Sequence, residues 1–92
     1  MGLELFLNDS YKLLRLLYDN QTTVLDKKVV PLTQIEIGTE LGMSKAKVNS
    51  LIGQLQNEGY ISMETRGKYM LSDKALTLIG DMQRAENRLI KV

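Results

Sequence analysis

The sequence of 92 residues contains no cysteine and no histidine, and it has a single proline. The absence of both residues excludes disulfides, thiolate nucleophiles and imidazole bases, and it removes the ligands of most transition-metal sites. Serines are present, but there is no imidazole to activate one of them. The eleven acidic residues show no paired or metal-loop spacing. We therefore predict that the protein is not an enzyme and binds no cofactor or metal.

Long hydrophobic runs are also missing. No stretch approaches the roughly 20 apolar residues that a membrane-spanning helix needs, and the N-terminus lacks the basic and apolar regions of a signal peptide. We expect a cytoplasmic protein with no membrane partner, built as one domain over residues 1–92. The net charge is only +1. A nucleic-acid-binding domain is usually more basic, so the argument for such a function depends on where the charges lie.

The first predicted helix begins near Ser10, with Asn8, Asp9 or Ser10 itself as the N-cap. It is apolar on two flanks, which predicts that it packs against two partners. One flank contains Tyr11, Leu14, Leu17 and Tyr18, and the other contains Leu13 and Leu16.

A connector follows over residues 24–32. Val29 and Val30 are typical of a short strand, and Pro31 limits that strand to the edge of a sheet because proline has no N–H to donate. Proline also disfavours helical geometry at the residue before it, so the next helix is predicted to begin after Pro31.

Two short helices are predicted over residues 33–58. Thr33 and Glu36 have the spacing of a capping box, in which each side chain accepts a hydrogen bond from the other residue's amide. Gly42 is a typical left-handed helix end, and Ser44 can cap the second helix. Two helices joined by such a short turn form a helix-turn-helix, and the small residue Gly38 is expected where they cross most closely. The buried stripe of the second helix is predicted to contain Val48, Leu51, Ile52 and Leu55.

The remaining residues predict a two-stranded ribbon over residues 60–72, turning at Gly67, and a long helix over residues 73–91. The complete pattern is mainly α with a small β-ribbon: a winged helix-turn-helix with a three-helix core, a two-stranded wing and a long C-terminal helix. A seam of apolar residues at alternating spacings of three and four runs along the last helix. This seam contains Ala75, Leu78, Met82, Ala85 and Leu89.

The stretch from Leu32 to Ile61, followed by the run from Arg66 to Ser72, resembles winged helix-turn-helix proteins, most closely bacterial MarR-like regulators. The segment from Leu55 to Ile61 is similar to the run that joins recognition helix and wing in that family. Plasmid centromere-binding proteins and replication initiators with this fold look similar too.

The resemblance implies that the second helix of the motif enters the major groove of double-stranded DNA. Lysines at a helix N-terminus suit phosphate, and asparagine, serine and glutamine suit base edges. The start of the first helix in the motif and the basic tip of the wing are expected to contact DNA as well. The expected DNA-binding residues are Thr33, Gln34, Ser44, Lys45, Lys47, Asn49, Ser50, Gln54, Arg66 and Lys68. The lysines also have a plainer interpretation as a solvated helix face, and Thr33 as a helix cap.

We also predict a homodimer whose recognition helices lie about 34 Å apart, one turn of DNA. The expected interface residues are Leu13, Leu16, Leu78, Met82, Ala85 and Leu89. The alternative is that the apolar seam covers the domain's own core.

The favoured function is transcriptional repression. A plasmid or phage centromere-binding or replication factor is an alternative, and a protein-interaction module is an alternative from another class. The sequence identifies no small-molecule effector.

Overall fold

A computed structural model describes residues 8–65 and 68–90, with side chains placed up to residue 88. The helices are α1 (Asp9–Asp19), α2 (Gln34–Leu41), α3 (Lys45–Asn57) and α4 (Asp73–Ile90). The strands are β1 (Thr22–Val24), β2 (Lys27–Val29), β3 (Ile61–Thr65) and β4 (Lys68–Leu71). Strand β1 pairs with β2 and strand β3 pairs with β4, both antiparallel, in two separate two-stranded sheets. This architecture confirms the predicted winged helix-turn-helix.

Helix α1 is the central element of the core. The Asn8 side chain caps it by accepting hydrogen bonds from the amides of Ser10 and Tyr11, at 2.8 and 3.2 Å. Asn8 is therefore the N-cap among the three candidates. The helix contacts α2, α3, α4 and β4, as its two apolar flanks predict. The residues that it buries are Tyr11, Leu13, Leu14 and Leu17.

Strands β1 and β2 form a hairpin where the sequence predicts a connector with one short strand. The turn residues Leu25 and Asp26 both have positive φ, at 50° and 68°, as a type I′ hairpin turn requires. Glycine or asparagine usually occupies such positions, so the turn has no recognisable sequence signal. The main-chain groups of Val30 then pair with those of Tyr69, at 2.7 and 3.0 Å, and connect the hairpin to β4.

The turn between α2 and α3 has the predicted geometry. The Glu36 amide donates to the Thr33 hydroxyl at 3.1 Å, and the Thr33 amide donates to the Glu36 carboxylate at 2.9 Å, which confirms the capping box. Gly42 ends α2 in the left-handed region, with a φ of 66°. The Ser44 hydroxyl then caps α3 by accepting from the Lys47 amide at 3.2 Å.

Strands β3 and β4 form the predicted wing, with Ile61 opposite Leu71 and Met63 opposite Tyr69. The predicted turn glycine, Gly67, lies outside the described residues. Ser72 joins the wing to α4: its hydroxyl donates to the Gly59 carbonyl at 2.7 Å and accepts from the Ala75 amide at 3.2 Å.

The long helix α4 packs part of its apolar seam into the core of its own protomer. Ala75 and Met82 of the seam are buried there, together with the neighbouring Ile79. Arg15 of α1 lies 3.6 Å from the Glu86 carboxylate and links the two helices further along. The alternative that the seam covers the domain's own core therefore holds for its first half.

The structure corrects two of the expected interface residues. Leu13 is completely buried and Met82 is 8% exposed, so both side chains already contact the protomer's own core and offer a second copy almost no surface. Leu16, Leu78 and Ala85 are partly exposed. The side chain of Leu89 is not among those that the structure describes. Within residues 8–65 and 68–90, the helices are too short or too polar to span a lipid bilayer.

Candidate nucleic-acid interface

Helix α3 has one buried face and one exposed face. Val48, Ile52 and Leu55 point into the core, and Leu51 packs against it while remaining partly exposed. These contacts fix the rotation of the helix about its axis. The residues of the opposite face that are exposed to solvent are Ala46, Asn49, Ser50 and Gln54. The expected base-contacting side chains therefore share a surface that can approach a groove.

The N-terminus of α3 is an electropositive position. Ser44 satisfies the Lys47 amide, and no acidic residue lies in the first turn. Lys45 and Lys47 are both exposed there. The partial positive charge of a helix N-terminus adds to that of the two ammonium groups, so this end of α3 attracts anions such as phosphate.

Lys47 has a partner that the sequence did not suggest. Its ammonium lies 2.5 Å from the carboxylate of Asp9, which is the first residue of α1. The hydrogen bond from Lys47 is the main reason that the pKa of the Asp9 carboxyl lies below its ordinary value. The structure thus pairs Lys47 with a carboxylate, although the local sequence of α3 shows only lysines around this position.

The start of α2 lies against α3. The side-chain amide of Gln34 donates to the side-chain oxygen of Asn49 at 3.4 Å. Two expected DNA-contacting residues are therefore in direct contact. In this arrangement the Asn49 side-chain oxygen accepts one hydrogen bond and its NH₂ group can still donate. Thr33 is exposed, but its hydroxyl already accepts the capping hydrogen bond.

The wing contributes Lys68, which is exposed on β4. Arg66, the other expected contact of the wing, lies outside the described residues. Glu64 on β3 forms an ion pair with Lys27 of the hairpin, at 3.4 Å. The positive charge of Lys27 offsets the negative charge that Glu64 places at the end of β3.

The polar groups of this surface are suited to recognition. Within residues 8–65 and 68–90, no group of three acidic side chains lies close enough together to hold a metal ion. What the surface offers is hydrogen-bond donors, acceptors and ammonium groups.

Comparison with known proteins identifies the fold family. A family model described as a Crp-like helix-turn-helix domain matches residues 11–76. The chain belongs to this Crp-like family. The match covers α1, the hairpin, the helix-turn-helix, the wing and the start of α4. It supports the predicted winged helix-turn-helix, but it does not single out the MarR-like regulators that the sequence resembled.

Solved structures with the same fold agree with this assignment. The reduced, Fe(II) CO-sensing protein from R. rubrum aligns with a TM-score of 0.66 and 24% identity over 83% of this chain. A transcriptional regulator of the CRP/FNR family from Thermus thermophilus aligns with a TM-score of 0.64 and 22% identity over 85% of this chain. This chain spans only 34% and 40% of the length of those two chains. No curated protein matches the sequence.

The sequence analysis did not predict that Asp9 and Glu64 form ion pairs on this surface. Each pairs with a lysine far away in sequence, Lys47 and Lys27 respectively. Helical or strand periodicity reports only on neighbours within an element, so no local signal pointed to either pair. The Gln34–Asn49 contact joins two residues that were each expected at the interface, although the bond between them was not.

Proposed function

We propose that this Crp-like domain binds double-stranded DNA in a sequence-specific manner, with α3 in the major groove. The observation that carries the proposal is the exposed face of α3, which is polar, starts at a capped and positively charged end, and contains no acidic residue in its first turn. A major groove admits an α-helix of this kind.

Within this proposal, different residues have different tasks. Asn49, Ser50 and Gln54 face base edges, where an amide can bond adenine and a hydroxyl can bond several bases. Lys45 and Lys47 bind phosphates, which position the protein without reading sequence. The small side chain of Ala46 permits close approach and can touch a thymine methyl group.

The flanking elements extend the footprint. Ser44, Thr33 and Gln34 lie at the starts of α3 and α2, where they can approach the DNA backbone. Lys68 and Arg66 of the wing reach a phosphate or the minor groove of an A·T-rich segment, which attracts basic side chains.

We further propose that the domain acts as a dimer in transcriptional repression, by covering a promoter. Support for the dimer comes from the partly exposed apolar residues Leu16, Leu78 and Ala85, with Leu89 continuing the seam in sequence. One structural neighbour is itself described as a transcriptional regulator, which supports the regulatory role. Two copies related by a two-fold axis match a palindromic site.

Selection of bound duplexes from a random pool tests the proposal. We expect one enriched motif with two half-sites. Titration of that motif and of a scrambled duplex at several salt concentrations should give a slope of about −4 per protomer for log K against log salt, since roughly four to five cationic contacts displace counterions. No enrichment, or binding without salt dependence, would contradict the proposal.

A protein-interaction role is the second candidate. It is favoured by Leu25, which is 92% exposed at the tip of the hairpin, and by the net charge of only +1. The same titration separates the two functions, because a module that binds only proteins will not shift generic duplex DNA at low salt.

A further inference from the structure

The lysines at the proposed interface are not equivalent. Lys47 is paired with Asp9, whereas Lys45 and Lys68 have no ion pair among residues 8–65 and 68–90. Asp9 comes from a different helix, 38 positions earlier in the sequence, so the pairing is a property of the fold.

Asp9 is held in place by a rigid element. It is the first residue of α1, directly after the Asn8 cap, and it precedes the buried Tyr11 by two positions. Helix α1 also contacts α3 directly. The Asp9 carboxylate is therefore held within reach of the Lys47 ammonium, and its position does not depend on a flexible loop.

We propose that Asp9 attenuates DNA binding by competing with phosphate for the ammonium of Lys47. This inference rests on the proposed function. Carboxylate and phosphate are both anions that accept hydrogen bonds from the same group, so Lys47 must leave or share Asp9 before it binds the DNA backbone. The Asp9 side chain is 38% exposed and that of Lys47 is 50% exposed, so solvent and phosphate can both reach the pair.

Two consequences distinguish this competition from a general effect of surface charge. First, the effect concerns phosphate binding and is therefore the same on every sequence. Second, it depends on Lys47, so that removing the lysine must also remove the influence of Asp9. Base contacts by Asn49 and Ser50 are not involved.

Asp9→Asn removes the charge and keeps the size of the side chain. Asp73→Asn is the matched control, because Asp73 is the first residue of α4, changes the net charge equally and forms no ion pair with Lys47. Asp9→Glu keeps the charge and is expected to bind like the wild type. Circular dichroism verifies that each variant is folded.

Titration with an unrelated duplex and with the selected motif provides the readout. We expect Asp9→Asn to tighten binding to both by about 1.5- to 5-fold, the range of an exposed ion pair. Asp73→Asn should change the affinity less.

A double-mutant cycle with Lys47→Ala completes the test. In the Lys47→Ala background, Asp9→Asn should have no effect beyond that of Asp73→Asn. The inference is overturned if Asp9→Asn binds like Asp73→Asn, if it weakens binding, or if its effect persists without Lys47. Absence of DNA binding by the wild type would overturn the proposed function as well, and the same titration reveals which of the two has failed.

Discussion

Gly38 of α2 lies directly beneath the main-chain carbonyl of Met43. A Cβ atom at position 38 would come within 2.8 Å of that oxygen, and within 3.5 Å of a methyl group of Val48. This contact is where α2 and α3 cross, and the Met43 amide also donates to the Gly38 carbonyl at 3.0 Å. The close approach of the two helices sets the angle at which α3 leaves the domain.

Replacing Gly38 with alanine should therefore destabilise the fold. The atom in the way belongs to the backbone and cannot rotate aside, so we expect a loss of about 1–3 kcal/mol, typical of overpacking. Gly53→Ala is the control, because a Cβ there meets nothing within 4 Å and alanine in a helix gains about 0.5–1 kcal/mol over glycine. Urea unfolding measures both variants, and equal effects would contradict the argument.

The capping box of α2 should make stability depend on pH. Hydrogen bonds from Thr33 lower the pKa of Glu36 below its ordinary value of 4.5. The stabilisation is fully present above the unfolded-state pKa and is lost as the pH falls through the lower pKa of the folded state. The variant Glu36→Gln can still form the box. In unfolding experiments, its free energy of unfolding should therefore decrease less than that of the wild type between about pH 6 and pH 3.

Glu40→Gln provides the control for that experiment, since Glu40 is exposed on the same helix and takes no part in the cap. If Glu36→Gln and the wild type lose stability in parallel as the pH falls, the hydrogen-bonded carboxylate of Glu36 does not contribute to acid unfolding.

Lys45 and Asn49 should differ in what they contribute to DNA binding. We expect Lys45→Ala to weaken binding uniformly across sequences and to reduce the salt slope by about 1. Asn49→Ala should relax discrimination at one base pair, by about 1–3 kcal/mol. Competition binding against a panel of single-base variants of the selected motif separates the two effects. A uniform loss in Asn49→Ala would show that this residue does not read a base.

The dimer can be tested on the surface of α4. Ala85 is half-buried on the seam, whereas Thr77 is exposed on the same helix. We expect Ala85→Glu to be monomeric in sedimentation at micromolar concentration, because a charge would be buried without a partner, and Thr77→Glu to remain dimeric. A monomeric wild type would contradict the dimer itself.

Local signals predicted the helix-turn-helix well. The Thr33–Glu36 box, the left-handed Gly42 and the Ser44 cap each involve residues within a few positions of one another, and their chemistry permits little else. Gly38 was expected at the helix crossing for the same reason. These features fix the ends of α2 and the start of α3, and they were all found in the structure.

Features that depend on tertiary contacts were harder to predict. Strand β1 was missed because its turn contains no glycine and places Leu25, a residue type that seldom adopts positive φ, at a φ of 50°. Periodicity showed that Met82 is on an apolar seam, but it cannot tell a protomer's own core from a partner's surface. The Asp9–Lys47 pair depends on the packing of α1 against α3, and no local sequence pattern predicts this pair.

Ser72 has a wider consequence for how such a domain can vary. Its hydroxyl bonds Gly59 and the cap of α4, and its amide donates to the Tyr60 carbonyl at 2.9 Å. The hydrogen bonds of this one residue thus connect both ends of the wing to each other and to the start of α4. Next to this connection Ile61 and Tyr69 are buried, whereas Met63, Glu64 and Lys68 further out on the wing are exposed. A change of charge at these exposed positions can therefore alter the surface of the wing while the three helices keep their arrangement.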